Sequence, residues 1–238
     1  MTISFPGFPG GDPVKSSRSE PQRDSGAKGK DSTSRRGGSY RNGLKRLLDI
    51  SAIVAAAPVV VPVIAGLAVM VARNGGSPFY CQVRVGKGGK PFRMWKLRSL
   101  VTDADARMES YLAENPDARA EWDSTQKLRQ DPRVTPLGQL LRRTSLDELP
   151  QLWNVLKGDM SLVGPRPMML NQQGLYPGTA YYRLRPGITG SWQTAGRNKT
   201  TFEARAGFDA EYEAELTLAT DLRILARTVG VVLKGTGC

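Results

Sequence analysis

The chain has 238 residues, room for one ordinary catalytic domain with extensions, and a formal net charge of +12 from 34 Lys and Arg against 22 Asp and Glu. That excess calls for an anionic partner, whether nucleic acid, anionic lipid or a phosphorylated substrate. The absence of histidine, with only Cys81 and Cys238 as thiols, excludes histidine-based acid–base catalysis, a cysteine–histidine zinc site and a disulfide framework, so proton handling falls to carboxylates, Lys or Tyr and any metal would be oxygen-ligated.

Residues 1–43 hold eight Gly, eight Ser, four Pro and eight Lys or Arg against four acids. So few large apolar side chains cannot bury a core, and the segment reads as a disordered basic tail. No apolar run follows its first charges closely enough for a signal peptide.

From Ile50 to Ala72 there are 23 residues without a charge. About 20 apolar residues cross a bilayer core, so a transmembrane helix is the first reading and a buried core helix the bland one. Pro58 and Pro62 near the middle each withdraw a backbone donor and predict a break. Both flanks are basic, with Arg35, Arg36, Arg41, Lys45 and Arg46 before and Arg73, Arg84, Lys87 and Lys90 after. Because positive flanks favour the cytoplasm, a helix–break–helix that enters and leaves by one face competes evenly with a span.

Residues 73–102 carry seven Lys or Arg and no acid. Within them FYCQVRV (79–85) and PFRMWKL (91–97) flank GKGGK, which predicts a β-hairpin presenting cations to headgroups or phosphates. Residues 103–123 reverse the charge, with seven acids against two bases, and predict exposed helices broken at Asn115-Pro116. Thr135-Pro136 is a helix start, Thr as N-cap and Pro at the first helical position, continuing through LGQLLRR (137–143).

The segment RRTSLDELPQLWNVLKGDMSLVGPRP (142–167) concentrates chemistry. Ser145 and Glu148 fit a capping box, while Asp147 as cap would place Pro150 in the tolerated first turn. Either way Asp147 and Glu148 stand at a helix N-terminus, where free N–H groups favour anions. Paired carboxylates beside Arg142 and Arg143 suit phosphate chemistry: carboxylates hold Mg²⁺ with substrate phosphates, arginines clamp phosphate oxygens, and an ionised carboxylate can attack phosphorus. The bland alternative is an acid pair neutralised by its neighbouring arginines. Arg166 lies between two prolines in a rigid turn, and LRPGITGSWQTAGRN (184–198) offers Arg185, Arg197 and the face of Trp192. TDLRILARTVGVVLKG (220–235) closes the chain as an amphipathic helix with a stripe of Leu222, Leu225, Val229, Val232 and Leu233, which either closes a core or lies on a membrane surface.

These residues resemble the bacterial sugar transferases, the monotopic phosphoglycosyl transferases that start polyprenyl-linked exopolysaccharide synthesis. The resemblance runs from about Leu44 to the C-terminus. It rests on KRLLD (45–49), VRVGKGGKPFRMWKLRSL (83–100), SLDELPQLWNVLKGDMSLVGPRP (145–167) and RPGITGSWQTAGRN (185–198), in the family's order. It implies an α+β, mainly helical fold with a small β-hairpin or sheet, a re-entrant membrane helix over 44–73 broken at Pro62 and Pro58, and a catalytic domain over 74–238 held by amphipathic interfacial helices. It further implies transfer of a sugar 1-phosphate from a UDP-sugar to undecaprenyl phosphate with release of UMP, at the cytoplasmic face of a bacterial inner membrane. By the same resemblance Asp147 is the nucleophile, Glu148 its partner acid, and the two hold Mg²⁺. Arg142 lies near the transferred phosphate, Arg166 near the nucleotide, and Lys96, Arg98 and Arg197 complete the phosphate- and nucleotide-binding set. Membrane lipids are partners and a homodimer is a candidate assembly. Two departures stand out: Val61 precedes Pro62 where many members have serine, and ITG-Ser-Trp-Gln replaces ITG-Trp-Ala-Gln, a variation that points to a hexose donor such as UDP-galactose or UDP-glucose. The rivals are a non-catalytic membrane-anchored scaffold and a nucleic-acid binder, the latter lacking any recognisable nucleic-acid motif.

Overall fold

In the computed structural model, which describes residue 38 and residues 40–125, 128–195 and 200–233, the apolar run forms one helix, α1 (Lys45–Ala72), that continues through Pro58 and Pro62. The break expected at the two prolines is corrected to an unbroken helix. Each proline removes a single N–H from the ladder, and the Ala- and Val-rich turns on either side keep their helical dihedrals. Among the described residues α1 is the one helix long and apolar enough to cross a membrane. Most of the predicted tail lies outside the described residues. Its last part, counted with the tail by composition, is a π-helical turn at Tyr40–Leu44, where the Tyr40 hydroxyl donates to Asp221 at 2.6 Å and Arg41 pairs with Glu213 at 2.5 Å.

Both ends of α1 are fastened to the same body. At its start, Arg46 donates to the carbonyls of Val155 and Leu156, and Asp49 accepts from the Ser161 hydroxyl at 2.7 Å and the Leu162 N–H at 3.3 Å. Ile53 then packs with Phe92, Met94, Val155 and Met160. At its end Val71 packs with Leu97 and Leu141, and Arg98 donates to the carbonyls of Val71 and Gly75. Between these anchors, residues 54–70 contain no buried side chain, and Val54, Val59, Val61 and Val69 are exposed.

The predicted hairpin is present residue for residue: β1 (Phe79–Val85) pairs antiparallel with β2 (Pro91–Leu97), Cys81 opposite Trp95. Its turn needs left-handed backbone at Gly88 (φ 69°) and Gly89 (φ 77°), which only glycine adopts without strain. The acidic stretch forms α2 (Ala104–Glu114) and α3 (Pro116–Thr125), interrupted at Asn115 as anticipated. Helix α4 (Pro136–Thr144) starts on Thr135, whose hydroxyl accepts from Gly138 N–H at 2.9 Å.

Beyond α4 come α5 (Gln151–Lys157), β3 (Ser161–Val163), α6 (Ala180–Arg183), β4 (Gly187–Thr189), α7 (Ser191–Ala195), α8 (Arg205–Ala214) and α9 (Leu218–Leu233). Strands β3 and β4 form a short parallel pair. The outcome is an α+β, mainly helical fold. Asn154, fully buried on α5, accepts from the Trp95 N–H at 3.0 Å and donates to the Arg93 carbonyl at 2.6 Å, so it joins α5 to β2. In α9, Asp221 and Ile224 turn inward while Leu222, Val229 and Val232 are exposed. The predicted apolar stripe therefore faces outward along most of its length, because the inward face is anchored by Asp221. That carboxylate accepts from Tyr40, Lys45 and Tyr212 at 2.5–2.6 Å.

Candidate active site

Helix α4 ends where Ser145 turns left-handed (φ 57°), and the chain then makes a 3₁₀ turn, Leu146–Glu148, before α5. Ser145 makes no side-chain cap, so neither capping alternative is realised. Its backbone ends α4 and, with its carbonyl accepting from the Glu148 N–H at 3.2 Å, opens the 3₁₀ turn, and Pro150 stands at the N-cap position of α5. The tight turn sets the two acids on a short, stiff segment between helices. Asp147 is 7% exposed, and Glu148 is partly buried.

Strand β2 supplies the cation between them. The Lys96 ammonium lies 2.8 Å from Glu148 Oε1 and 3.5 Å from Asp147 Oδ2. Burial raises the proton affinity of Asp147 above the usual carboxylate range. Lys96 opposes this most strongly, Glu148 adds to it, and Arg142 opposes it as well. The ammonium and the guanidinium favour the anionic form of Asp147 against the burial that disfavours it.

Arg142, on the last turn of α4, is oriented by a 2.8 Å bond from its Nε to the Ser99 hydroxyl. That bond depends on close contact of α4 with the segment after β2. A Cβ at position 138 would sit 2.0 Å from the Ser99 carbonyl oxygen, so only glycine permits the approach. Lys96, Arg142, Asp147, Glu148 and Arg166 all line one cavity of about 1000 Å³. Thr189, Gln193 and Thr228 line it as well. Gln193, 6% exposed, has a buried Oε1 with no hydrogen-bond partner.

Of the other predicted residues, Arg98 lines the cavity but spends its Nη2 on carbonyls at the end of α1. It fastens the membrane-type helix to β2. Arg185 donates to the Gly158 carbonyl at 3.0 Å and ties two loops together. Arg166 is exposed and lies 5.8 Å from the Trp192 ring. Arg197 falls outside the described residues. Pro58 and Pro62 lie on the exposed middle of α1, away from the site. Three residues were given no role on sequence grounds: Ser99, which aims Arg142, and Gln193 and Arg205, which adjoin Arg166 and Trp192. Gln193 sits inside the quoted ITG-Ser-Trp-Gln run, where a polar residue beside a glycine turn was the available signal. Ser99 and Arg205 had none.

Asp147 and Glu148 fit a magnesium ion. They offer two hard carboxylate ligands on the wall of the cavity, and Mg²⁺ characteristically takes one or two carboxylates with substrate phosphates. No group of three or more His, Cys, Asp or Glu ligands occurs among the described residues, so an all-protein cage is not what this site offers.

The family described as bacterial sugar transferase matches residues 40–235. A UDP-galactose-lipid carrier transferase of Erwinia amylovora is 45% identical over 196 residues, 82% of this chain and 41% of that protein. An undecaprenyl-phosphate galactose phosphotransferase of Salmonella typhimurium is 44% identical over 196 residues, with the same two coverages. The exopolysaccharide production protein ExoY of Rhizobium meliloti is 44% identical over 166 residues, 69% of this chain and 74% of that protein. The chain thus spans about two fifths of the first two relatives.

Proposed function

The chain belongs to the bacterial sugar transferase family, and from that premise and the site geometry we propose that it transfers a sugar 1-phosphate from a UDP-sugar to undecaprenyl phosphate at the cytoplasmic face of a bacterial inner membrane. The observation that carries this reading is the buried Asp147 beside Lys96 and Glu148, facing a cavity that Arg142 and Arg166 also line.

In the first step an Asp147 carboxylate oxygen attacks the sugar-bearing phosphorus. A phosphorus–oxygen bond forms to Asp147, the bond to the bridging oxygen breaks, and UMP leaves with that electron pair. Arg142, held by Ser99, faces the transferred phosphoryl group and stabilises its charge. Arg166 holds the nucleotide side. In the second step an oxygen of the lipid phosphate attacks the same phosphorus. Asp147 departs as a carboxylate, and a polyprenyl diphosphate sugar is released. No net proton is consumed when a phosphate oxyanion is the nucleophile, which suits a site without histidine. Lys96 bridges Asp147 and Glu148 in the free enzyme. Mg²⁺, held by the two carboxylates, would neutralise diphosphate charge. The names of two relatives include galactose, which supports a hexose donor.

The membrane reading follows from the anchoring of α1. Its two ends pack on one body and the side chains between them are exposed, which supports re-entry into one leaflet over crossing. The exposed Leu222, Val229 and Val232 of α9 support a helix lying at the interface.

The reaction is tested by UMP release from a panel of UDP-sugars, using detergent-solubilised protein and Mg²⁺ with and without undecaprenyl phosphate. Lipid-dependent release from one sugar is expected, and no release from any sugar would refute the reading. Topology is tested with single cysteines at Gly43 and Asn74 in a Cys81→Ser, Cys238→Ser background. Labelling of both from the cytoplasmic side is expected, and labelling from opposite sides would establish a span.

A further inference from the structure

Lys96, Arg142 and Asp147 come from three segments of the chain, and each has a leucine as its direct neighbour. Leu97 follows Lys96, Leu141 precedes Arg142 and Leu146 precedes Asp147. All three leucines pack at the C-terminal end of α1. Leu97 and Leu141 are buried in one cluster with Val71, and Leu146 packs against that cluster together with Leu67 and Ala68 of α1 and Leu137 of α4. The last turns of α1 are thus part of the apolar base beneath the three charged groups that line the cavity.

Arg98 fastens that base. Its Nη2 donates to the Val71 carbonyl at 3.2 Å and to the Gly75 carbonyl, which puts a cation at the C-terminal end of a helix, where the dipole favours one. The fit is close: a Cβ on Gly76 would stand 2.6 Å from Arg98 Nη1 and 2.7 Å from Thr102 Cγ2. The next residue, Ser99, accepts from Arg142 Nε at 2.8 Å through its hydroxyl and from the Thr135 N–H at 3.1 Å through its carbonyl. Residues 96–99 therefore touch, in turn, the dyad, the Val71 cluster, the end of α1 and the segment that starts and ends α4.

We propose that the last turns of α1 are the mount of the active site: Val71 and Arg98 are positioning residues that set Lys96, Arg142 and Asp147 relative to one another without touching substrate, so that turnover requires this end of α1 to be seated. This rests on the transfer proposed above and gives Arg98 a task other than phosphate binding. A close-packed cluster has few voids to yield into, so a displacement of Val71 passes to the leucines around it and on to their catalytic neighbours. In-line attack needs the Asp147 oxygen and the Arg142 guanidinium at fixed distances from one phosphorus, and a misplacement of about 1 Å caused by a remote change can cost ~100-fold in rate.

The test uses the full chain in detergent with its productive UDP-sugar, Mg²⁺ and undecaprenyl phosphate. Turnover is read from UMP release at saturating substrates, binding from calorimetric titration of UMP, and stability from thermal melts. For Val71→Ala and Arg98→Met, turnover is expected to fall ~10–100-fold while UMP affinity stays within about twofold of the unmodified protein. Ile53, at the other end of the same helix, packs with Phe92, Met94, Val155 and Met160. Ile53→Ala removes more apolar volume than Val71→Ala, so it should melt lower and yet keep turnover within about twofold, assayed below its melting range. A merely structural role for Val71 and Arg98 would make turnover follow the melts. Turnover within about twofold of the unmodified protein in Val71→Ala or Arg98→Met overturns the proposal, as does a loss in Ile53→Ala equal to theirs. UMP affinity that falls with turnover in Arg98→Met makes Arg98 a phosphate ligand and overturns it too. Should Val71→Ala not fold, Arg98→Met decides, and Ile53→Val replaces Ile53→Ala on the same condition. An unmodified protein that releases no UMP from any UDP-sugar removes the transferase reading and this proposal with it, a result distinct from an active enzyme indifferent to the substitutions.

Discussion

Replacing Lys96 by Met should displace the acid limb of the pH–rate profile upward. Lys96 is the strongest influence opposing the burial that raises the Asp147 carboxyl. At 3.5 Å a pair of unit charges in a medium of effective dielectric ~20 attracts by at most about 5 kcal/mol. Lys96 and Asp147 are 22% and 10% exposed, and Lys96 divides its charge with Glu148, so a shift of about 1–2 pK units, ~1.4–2.7 kcal/mol, is the expected remainder. Asp147 must be ionised to attack phosphorus, and a higher proton affinity therefore moves the rise of kcat/KM to higher pH by that amount. Stability responds in the same sense. A carboxyl with a raised folded pKa binds more protons folded than unfolded, so stability falls as pH climbs from about 4 through the folded value. The fall should be larger and reach higher pH in Lys96→Met. UMP release measured between about pH 5 and 9, alongside thermal melts over the same range, reads both effects. An acid limb that stays within about 0.3 unit of the unmodified enzyme would refute the electrostatic role given to Lys96.

Three further outcomes follow from the geometry. Asp147→Asn should abolish UMP release while leaving membrane association intact and melting at pH 7 equal or higher, since a buried charge becomes neutral; retained turnover would rule out the covalent step. Gly138→Ala puts a Cβ 2.0 Å from the Ser99 carbonyl oxygen, so it should cost about 1–3 kcal/mol in denaturant melts and lower turnover by misplacing Arg142, whereas Gly66→Ala, with open space around its Cβ, should cost nothing measurable in the same melts. Asn154→Ala strands the Trp95 N–H and the Arg93 carbonyl and should destabilise by about 2–4 kcal/mol, visible as a lowered urea midpoint.

Local patterns were readable wherever short-range chemistry sets the structure. The hairpin came out in register because alternation and a glycine turn specify it over neighbouring residues. Asn115-Pro116 and Thr135-Pro136 marked a helix break and a helix start through proline geometry and a hydroxyl cap. Asp147, Glu148, Arg142 and Lys96 were placed in one site by their motifs, and the fold does bring them to one cavity. Ser145 was misread because the S-x-x-E spacing is the same whether serine begins a helix or, in left-handed backbone, ends one; its own dihedral angle decides that. The prolines of α1 were misread because helical turns on both sides tolerate single missing donors.

By itself, then, the amino-acid sequence determined the membrane-type segment, the hairpin, the helices on either side of Asn115-Pro116 and after Thr135, and the carboxylate pair with its adjacent cations, since each depends on hydrophobic run length, periodicity or residues a few positions apart. Only the tertiary structure decided which cations act on which carboxylates. Lys96 reaches the dyad from 51 residues away because β2 lies against the 3₁₀ turn, Arg98 is diverted to the end of α1, and Arg84, Arg166 and Arg205 meet from three separate segments. Charge–charge interaction falls with distance in space and takes no account of distance along the chain, so that assignment had to wait for the fold.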